Sequence, residues 1–111
     1  MSTPTLHKFI VYAPDKTDEG AFERRLSVRA KHLENAAKKI EDKTILVGGA
    51  MLTPESLTGA DKKLTGSVLI YQAENLETVR GWIESDIYYT SSVWDPEKLV
   101  IAPFVAATPF P

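Results

Sequence analysis

The sequence Val68-Leu69-Ile70-Tyr71-Gln72-Ala73-Glu74-Asn75-Leu76 contains the change from strand to helix that sets the fold. Its first four residues are β-branched or bulky and apolar, which is typical of a strand, and we predict this strand over residues 64–73. Asn75 is a favoured helix N-cap, so a helix is predicted from Leu76 to about residue 85 or 86. Apolar residues at 76, 79, 83 and 87 are spaced to form one buried stripe on that helix.

The residues before this stretch predict a strand, a long helix and a second strand. Residues 6–13 are rich in β-branched and aromatic side chains, which indicates a strand. Thr17 or Asp18 is placed to cap the amphipathic helix that follows. We predict that this helix ends near Asp42, that the second strand covers residues 44–52, and that the polar residues 53–63 form a loop.

The residues after the second helix complete the pattern. Residues 87–94 are aromatic and irregular, which indicates at most a short helical turn, and residues 97–107 predict the last strand. Pro103 favours an edge position for that strand, because proline lacks a backbone donor. The order β-α-β-β-α-β predicts one α+β domain over residues 1–111, ferredoxin-like, with an antiparallel four-stranded sheet in the order 4-1-3-2.

This topology also predicts a partner for the sheet. Two helices cover one face only, so the other face would expose a broad apolar patch. A second copy of the same chain is the simplest cover, and we therefore expect a homodimer.

Composition excludes several classes of protein. The chain has no cysteine, which excludes disulfides and cysteine nucleophiles, and 13 basic against 15 acidic residues do not suggest nucleic-acid binding. There is no apolar run of membrane-spanning length and no hydrophobic signal region at the N-terminus, so we expect a cytoplasmic protein. The two histidines, His7 and His32, have no metal-binding spacing, and no nucleotide-binding motif is present, so no metal or cofactor is expected.

The first helix carries charge where a core-facing helix is usually apolar. Arg29 falls inside a predicted apolar stripe, and Arg25 and His32 lie along one side of it. A buried charge is costly without a partner, so this helix is predicted to carry the functional site. The predicted stripe consists of Phe22, Leu26, Leu33, Ala37 and Ile40.

Asp86 is the second anomaly. It is predicted to lie on the buried side of the second helix, at the C-terminal end, where the helix dipole disfavours negative charge. His32 and Arg29 are candidate partners, and a carboxylate bonded to one imidazole nitrogen makes the other nitrogen a general base. Arg29, and with it Arg25, is then a candidate to hold an anionic substrate. The alternative is a half-exposed surface histidine and a solvated aspartate.

Three further residues are candidates for substrate contacts. Ser67 follows a glycine at the start of the third strand and is placed to donate to a bound anion. Gly49 either lets a ligand approach the backbone or marks a strand bulge. Tyr12 either orients a substrate or packs with its hydroxyl at the rim.

The chain resembles the YCII-related (YciI-like) family over roughly residues 6–105. The segment Arg-Leu-Ser-Val-Arg-Ala-Lys-His-Leu is the most specific match. The motifs that carry the resemblance lie at residues 12–16, 25–33, 46–51, 64–67, 85–88 and 102–104.

The resemblance implies a dimeric α+β barrel and a catalytic His–Asp pair, which falls on His32 and Asp86. It also favours Ser67 as an anion donor, and Tyr88 matches an aromatic residue of the pocket wall. One branch of the family resembles a dehydrochlorinase of chlorinated hydroxyquinones, and muconolactone isomerases are similar in fold. Our leading interpretation is a cofactor-independent lyase or isomerase for a small anionic or phenolic molecule. The alternative is a non-catalytic small-molecule-binding homodimer, and the sequence does not separate the two.

Overall fold

The computed structural model describes residues 4–110. Residues 1–3 and 111, at the two ends of the predicted domain, lie outside the described residues. The N-terminal segment that was predicted to lack a signal region therefore lies partly outside them. The elements are β1 (His7–Pro14), α1 (Ala21–Glu41), β2 (Ile45–Leu52), a 3-10 helix (Pro54–Leu57), β3 (Leu64–Ala73), α2 (Leu76–Glu84), α3 (Ile87–Thr90) and β4 (Val100–Phe104). Within residues 4–110, no helix is long and apolar enough to cross a membrane.

The four strands form one antiparallel sheet in the order β2-β3-β1-β4, which confirms the predicted fold class and strand order. At the centre of the sheet, Val11 of β1 pairs with Leu69 of β3 on one side and with Ile101 of β4 on the other. Pro103 lies in the edge strand β4, where its missing N–H costs no sheet hydrogen bond to a further strand.

Several predicted boundaries were wrong, and two of them have clear local reasons. Gly20, rather than Thr17 or Asp18, is the N-cap of α1, because the carboxylate of Asp18 receives two hydrogen bonds from Arg24 instead. The last strand covers Val100–Phe104 rather than residues 97–107. It begins late because the carbonyl of Asp95 accepts from two backbone N–H groups that follow it and closes a turn there.

The core lies between the helices and one face of the sheet. Alternate residues of the central strands point to this helix-covered face and meet the predicted stripe of α2, where Val79 and Ile83 are fully buried. Trp94 is also fully buried, and Trp82 packs against the same cluster. The strand residues of the core are Phe9, Val11, Ala13, Ile45, Leu69, Tyr71 and Ala73.

The stripe predicted for α1 was wrong. Leu26, Leu33 and Ile40 are 45%, 48% and 54% exposed, and Arg29 is exposed beside them. The buried residues of α1 are instead Ala21, Arg25 and His32. Polar side chains occupy the buried face because each finds a carboxylate there, which offsets the cost of removing them from water.

The other face of the sheet carries no helix in the described part of the chain. We call it the open face. By strand alternation it includes Ile10 and Tyr12 of β1, Val68 and Ile70 of β3, and Val100 of β4, all of them half-buried or exposed. The predicted homodimer would cover this surface.

Candidate functional site

The centre of the candidate site is a contact between α1 and the junction of α2 with α3. Nδ1 of His32 lies 2.9 Å from Oδ1 of Asp86, and the two side chains are only 10% and 15% exposed. The expectation that Asp86 ends the second helix was wrong. Helix α2 ends at Glu84, and Asp86 is the N-cap of α3, where its carboxylate accepts from the backbone N–H of Tyr88.

The same carboxylate oxygen therefore serves two donors. The N-cap bond from Tyr88 holds Asp86 in place, and because a carboxylate oxygen accepts hydrogen bonds, we place the imidazole proton on Nδ1 of His32. Nε2 is then the imidazole nitrogen with a free lone pair. An arrangement of this kind is chemically competent to accept a proton from a bound molecule.

Aromatic side chains fix the plane of the imidazole. The ring of Tyr88 stacks on His32 with centroids 3.8 Å apart and planes 12° apart, and Trp94 meets His32 edge-on at 6.0 Å. Burial raises the pKa of the Tyr88 hydroxyl, although the charges of Arg25 and the exposed Arg29 oppose this. Tyr88 is therefore a neutral wall of the site at neutral pH.

A buried ion pair adjoins this wall. Nη1 of Arg25 donates to both carboxylate oxygens of Asp15, at 2.8 and 3.0 Å, and Nη2 donates to Oγ of Ser67 at 3.1 Å. The Arg25 guanidinium also lies over the ring of Tyr88, 4.6 Å from its centroid. Burial raises the pKa of Asp15, and Arg25 opposes that shift. These contacts explain how α1 buries an arginine.

Ser67 connects this ion pair to the aromatic wall. Its Oγ accepts from Arg25 and also from Nε1 of Trp94 at 3.2 Å, which leaves the hydroxyl proton free to donate. Among the described residues, Nε of Arg25 is the buried side-chain atom that has no hydrogen-bond partner. A cavity of about 90 Å³ lies here, lined by Arg25, His32, Ala36, Ile40, Ile45, Gly48, Gly49, Ser67 and Leu69.

A larger cavity of about 320 Å³ lies along the C-terminal half of α1. His32, Ile45 and Tyr71 form its buried wall, and Trp82 stacks on Tyr71. Exposed residues, among them Lys38, form its rim. Its lining residues are His32, Glu34, Asn35, Ala36, Lys38, Lys39, Ile45, Tyr71, Trp82, Ser85 and Asp86. The two cavities share His32, Ala36 and Ile45 as lining residues.

The structure brings together most of the predicted site residues. His32 contacts Asp86 and Tyr88, while Ser67 and Gly49 line the smaller cavity with His32. The irregularities of β2 fall at residues 45–47 and 51–52, so the strand bulge that was the alternative is not at Gly49. A Cβ added at Gly49 would meet no atom within 4 Å.

Two predicted site residues lie apart from the others. Tyr12 pairs with Val68 on the open face, so the sheet separates its side chain from His32, and the expected position near the pocket was wrong. Arg29 is exposed rather than inside a buried stripe, and Arg25 occupies the buried position instead.

Sequence reasoning assigned no role to Asp15, although it lies in one of the family motifs, and it missed Tyr71. Tyr71 had a usable signal, because residues 67, 69 and 71 of one strand share a face and Ser67 was already a candidate. Asp15 follows the first strand in a loop, and nothing local indicates that Arg25 folds back on it. Among residues 4–110, no cluster of three or more histidine, cysteine or acidic side chains is placed to hold a metal ion.

Comparison with known proteins places the chain in a family of small α+β proteins. A match to the YCII-related domain over residues 8–104 shows that the chain belongs to this family. Protein YciI of Escherichia coli is 32% identical over 96 residues, which cover 86% of this chain and 94% of that protein. Fusaric acid biosynthesis protein 2 of Gibberella fujikuroi is 31% identical, over 89% of this chain and 93% of that protein.

A solved structure shares the fold. It is the 5-chloro-2-hydroxyhydroquinone dehydrochlorinase of Burkholderia phenoliruptrix in complex with 2,5-dihydroxybenzoquinone. The two structures align with a TM-score of 0.74 and 27% sequence identity, over 88% of this chain and 93% of that one. These relatives support an enzyme-like role on a small molecule.

Proposed function

We propose that this chain is a cofactor-independent enzyme that moves a proton on a small cyclic molecule, as a lyase or an isomerase. The observation that carries the proposal is the 2.9 Å contact between His32 and Asp86, shielded from water and bordered by two cavities. A buried imidazole with an anchored carboxylate behind it is typical of a general base.

In this mechanism, Nε2 of His32 accepts a proton from the bound molecule, and Asp86 stabilises the imidazolium that forms. Stacking on Tyr88 keeps the imidazole from rotating between steps. Because Asp86 is itself held by a backbone N–H, little reorganisation accompanies the proton transfer.

The substrate contacts follow from the smaller cavity. The free hydroxyl proton of Ser67 donates to a substrate oxygen, and Arg25 behind it supplies positive charge as that oxygen becomes more negative. Gly49 contributes only its backbone to the cavity wall, because its register partner Val68 lies on the open face. Arg29, at the exposed surface of α1, attracts an anionic substrate.

The dehydrochlorinase supports one class of reaction. In an elimination, the base takes a proton while the halide leaves with the electrons of its bond, so no oxidant or reductant is needed. We therefore take halogenated hydroxyquinones and related enolisable rings as the first substrate class, in keeping with a ligand of the quinone type in the solved relative.

The test measures chloride release from 5-chloro-2-hydroxyhydroquinone, with isomerisation of small cyclic lactones as a second assay. The substitutions His32→Gln and Asp86→Asn are each expected to lower kcat by about 10²–10⁴-fold while the fold is retained. Nitrogen-15 NMR of the imidazole should report the Nδ1–H form in the native chain and loss of that preference in Asp86→Asn.

The matched control is His7→Gln, which changes the other histidine, on an exposed position of β1. It should keep native turnover. Normal turnover by His32→Gln would contradict the base assignment. Tight binding of these rings with no turnover would instead favour the non-catalytic, ligand-binding alternative.

The proposal includes a homodimer formed through the open face. Its apolar side chains are half-buried or exposed on a surface that no helix of the described chain covers. A second copy meeting it with the same surface would bury those side chains on both sides.

A further inference from the structure

We infer that the 320 Å³ cavity is a specificity subsite that binds a planar ring carrying a neutral oxygen at its deep end and an acidic group at its rim, with Tyr71 as the deep hydrogen-bonding residue. This inference rests on the proposed function, since it places part of the substrate beside His32. The residues that carry it are Tyr71, Trp82 and Lys38, none of which takes part in the proton transfer.

Tyr71 is the first reason. Its side chain is 2% exposed and lines the cavity, yet its hydroxyl makes no hydrogen bond to any residue in the described part of the chain. The hydroxyl is not among the fully buried unpaired atoms, so part of its surface stays accessible and a ligand oxygen in the cavity can accept its proton. Burial and the charge of Asp86 both raise the pKa of this hydroxyl, so it stays protonated and can donate.

The aromatic wall is the second reason. Trp82 stacks on Tyr71 with ring centroids 5.7 Å apart and planes 29° apart, which presents flat apolar surface next to the cavity. Ile45 closes the buried side. A planar ring fits such a wall better than a saturated one, because it can stack on the indole or lie flat against it.

Charge sets the orientation of the ring. Asp86 lines the cavity with Tyr71, and both are largely buried, so an anionic group there would be repelled, whereas a neutral hydroxyl or carbonyl would accept from Tyr71. Lys38 is exposed at the rim with Lys39 next to it, and these ammonium groups suit a carboxylate facing the solvent. Glu34 also lines the cavity, but it pairs with Lys31 at 3.6 Å.

The test compares 4-hydroxybenzoate with benzoate, which share the ring and the carboxylate and differ in the hydroxyl. Affinities are measured by isothermal titration calorimetry on the native chain and on Tyr71→Phe. We expect 4-hydroxybenzoate to bind the native chain about tenfold more tightly than benzoate, and Tyr71→Phe to remove that difference while leaving benzoate affinity unchanged. Lys38→Gln should weaken both ligands similarly.

Tyr12→Phe is the matched control, because it removes a tyrosine hydroxyl from the open face and should change neither affinity. Equal affinity of both ligands for the native chain, or an unchanged preference in Tyr71→Phe, would overturn the inference. So would the absence of any ligand-induced shift of the Trp82 indole resonance by NMR. These readouts need no turnover. Ring binding without catalysis would contradict the proposed function alone, and catalysis with an insensitive Tyr71 would contradict the subsite alone.

Discussion

Arg25 is the residue on which the site is most dependent for its structure. Its side chain is 3% exposed, and it joins the carboxylate of Asp15, the hydroxyl of Ser67 and the ring of Tyr88. Tyr88 stacks on His32, Ser67 is connected to it through Trp94, and Asp15 is connected to it through Arg25 and Tyr88. A buried ion pair of this kind does little for stability compared with an apolar pair, but it is costly to break on one side only.

Replacing Arg25 by methionine is expected to destabilise the chain by about 3–5 kcal/mol at pH 7, because it leaves the carboxylate of Asp15 buried and without its cation. The loss should depend on pH. Burial raises the pKa of Asp15 above its ordinary value of 3.8, and Arg25 opposes this, so the variant raises the pKa further. In the folded variant, Asp15 then keeps its proton to higher pH than it does in the unfolded chain. The free energy of unfolding of the variant therefore falls as pH rises above about 4.

Urea unfolding of the native chain and of Arg25→Met at pH 4 and pH 7 measures this effect. The double variant Asp15→Asn with Arg25→Met is the control, since it removes the carboxylate and should lose the added pH dependence. A destabilisation of equal size at both pH values would contradict the account.

At the scale of elements, α1 marks the limit of prediction from sequence. The strands, the order of elements and the Asn75 cap of α2 follow from local pattern, and the structure confirms them. The face that α1 buries does not follow from local pattern, because the exposed Leu26 and Leu33 are more apolar than the polar residues of the buried face. Burial of Arg25 and His32 depends on Asp15 and Asp86, which are distant along the chain, and a helical wheel contains no such information.

The candidate site divides in the same way. The residue patterns left His32 and Arg29 as possible partners of Asp86, and the family resemblance pointed to His32, whose Nδ1 lies 2.9 Å from Asp86. The N-cap role of Asp86 was missed, since it depends on where α2 ends and α3 begins. Asp15 received no role because loop residues have no periodicity from which the direction of a side chain follows.

The exposure of the apolar stripe on α1 can be tested by substitution. Leu33→Gln is expected to change the free energy of unfolding by no more than about 0.5 kcal/mol, because that side chain is already 48% exposed. Ile83→Ala, on the fully buried stripe of α2, should cost about 2–5 kcal/mol. Both are measured by urea unfolding. A cost for Leu33→Gln as large as that for Ile83→Ala would mean that another surface covers the stripe.

At the scale of the whole molecule, the two faces of the sheet have different structural roles. The helix-covered face holds the core and both cavities, so substitutions there affect stability and chemistry together. The open face touches neither cavity, because strand alternation directs its side chains away from His32. Association through the open face can therefore be tested separately from the chemistry of the site.

Ile70 lies on the open face, opposite Ile10 of β1 and Val47 of β2. The native chain is expected to sediment with twice the 12.3 kDa mass of one copy. Ile70→Lys should yield monomers, with a dissociation constant raised at least about hundredfold, because each copy would bury a charge without a partner. Sedimentation velocity over a range of concentrations measures this. Leu33→Lys, a charge of the same kind on the exposed stripe of α1, should stay dimeric. A monomeric native chain, or an Ile70→Lys variant that dimerises like the native one, would show that the open face is not the interface.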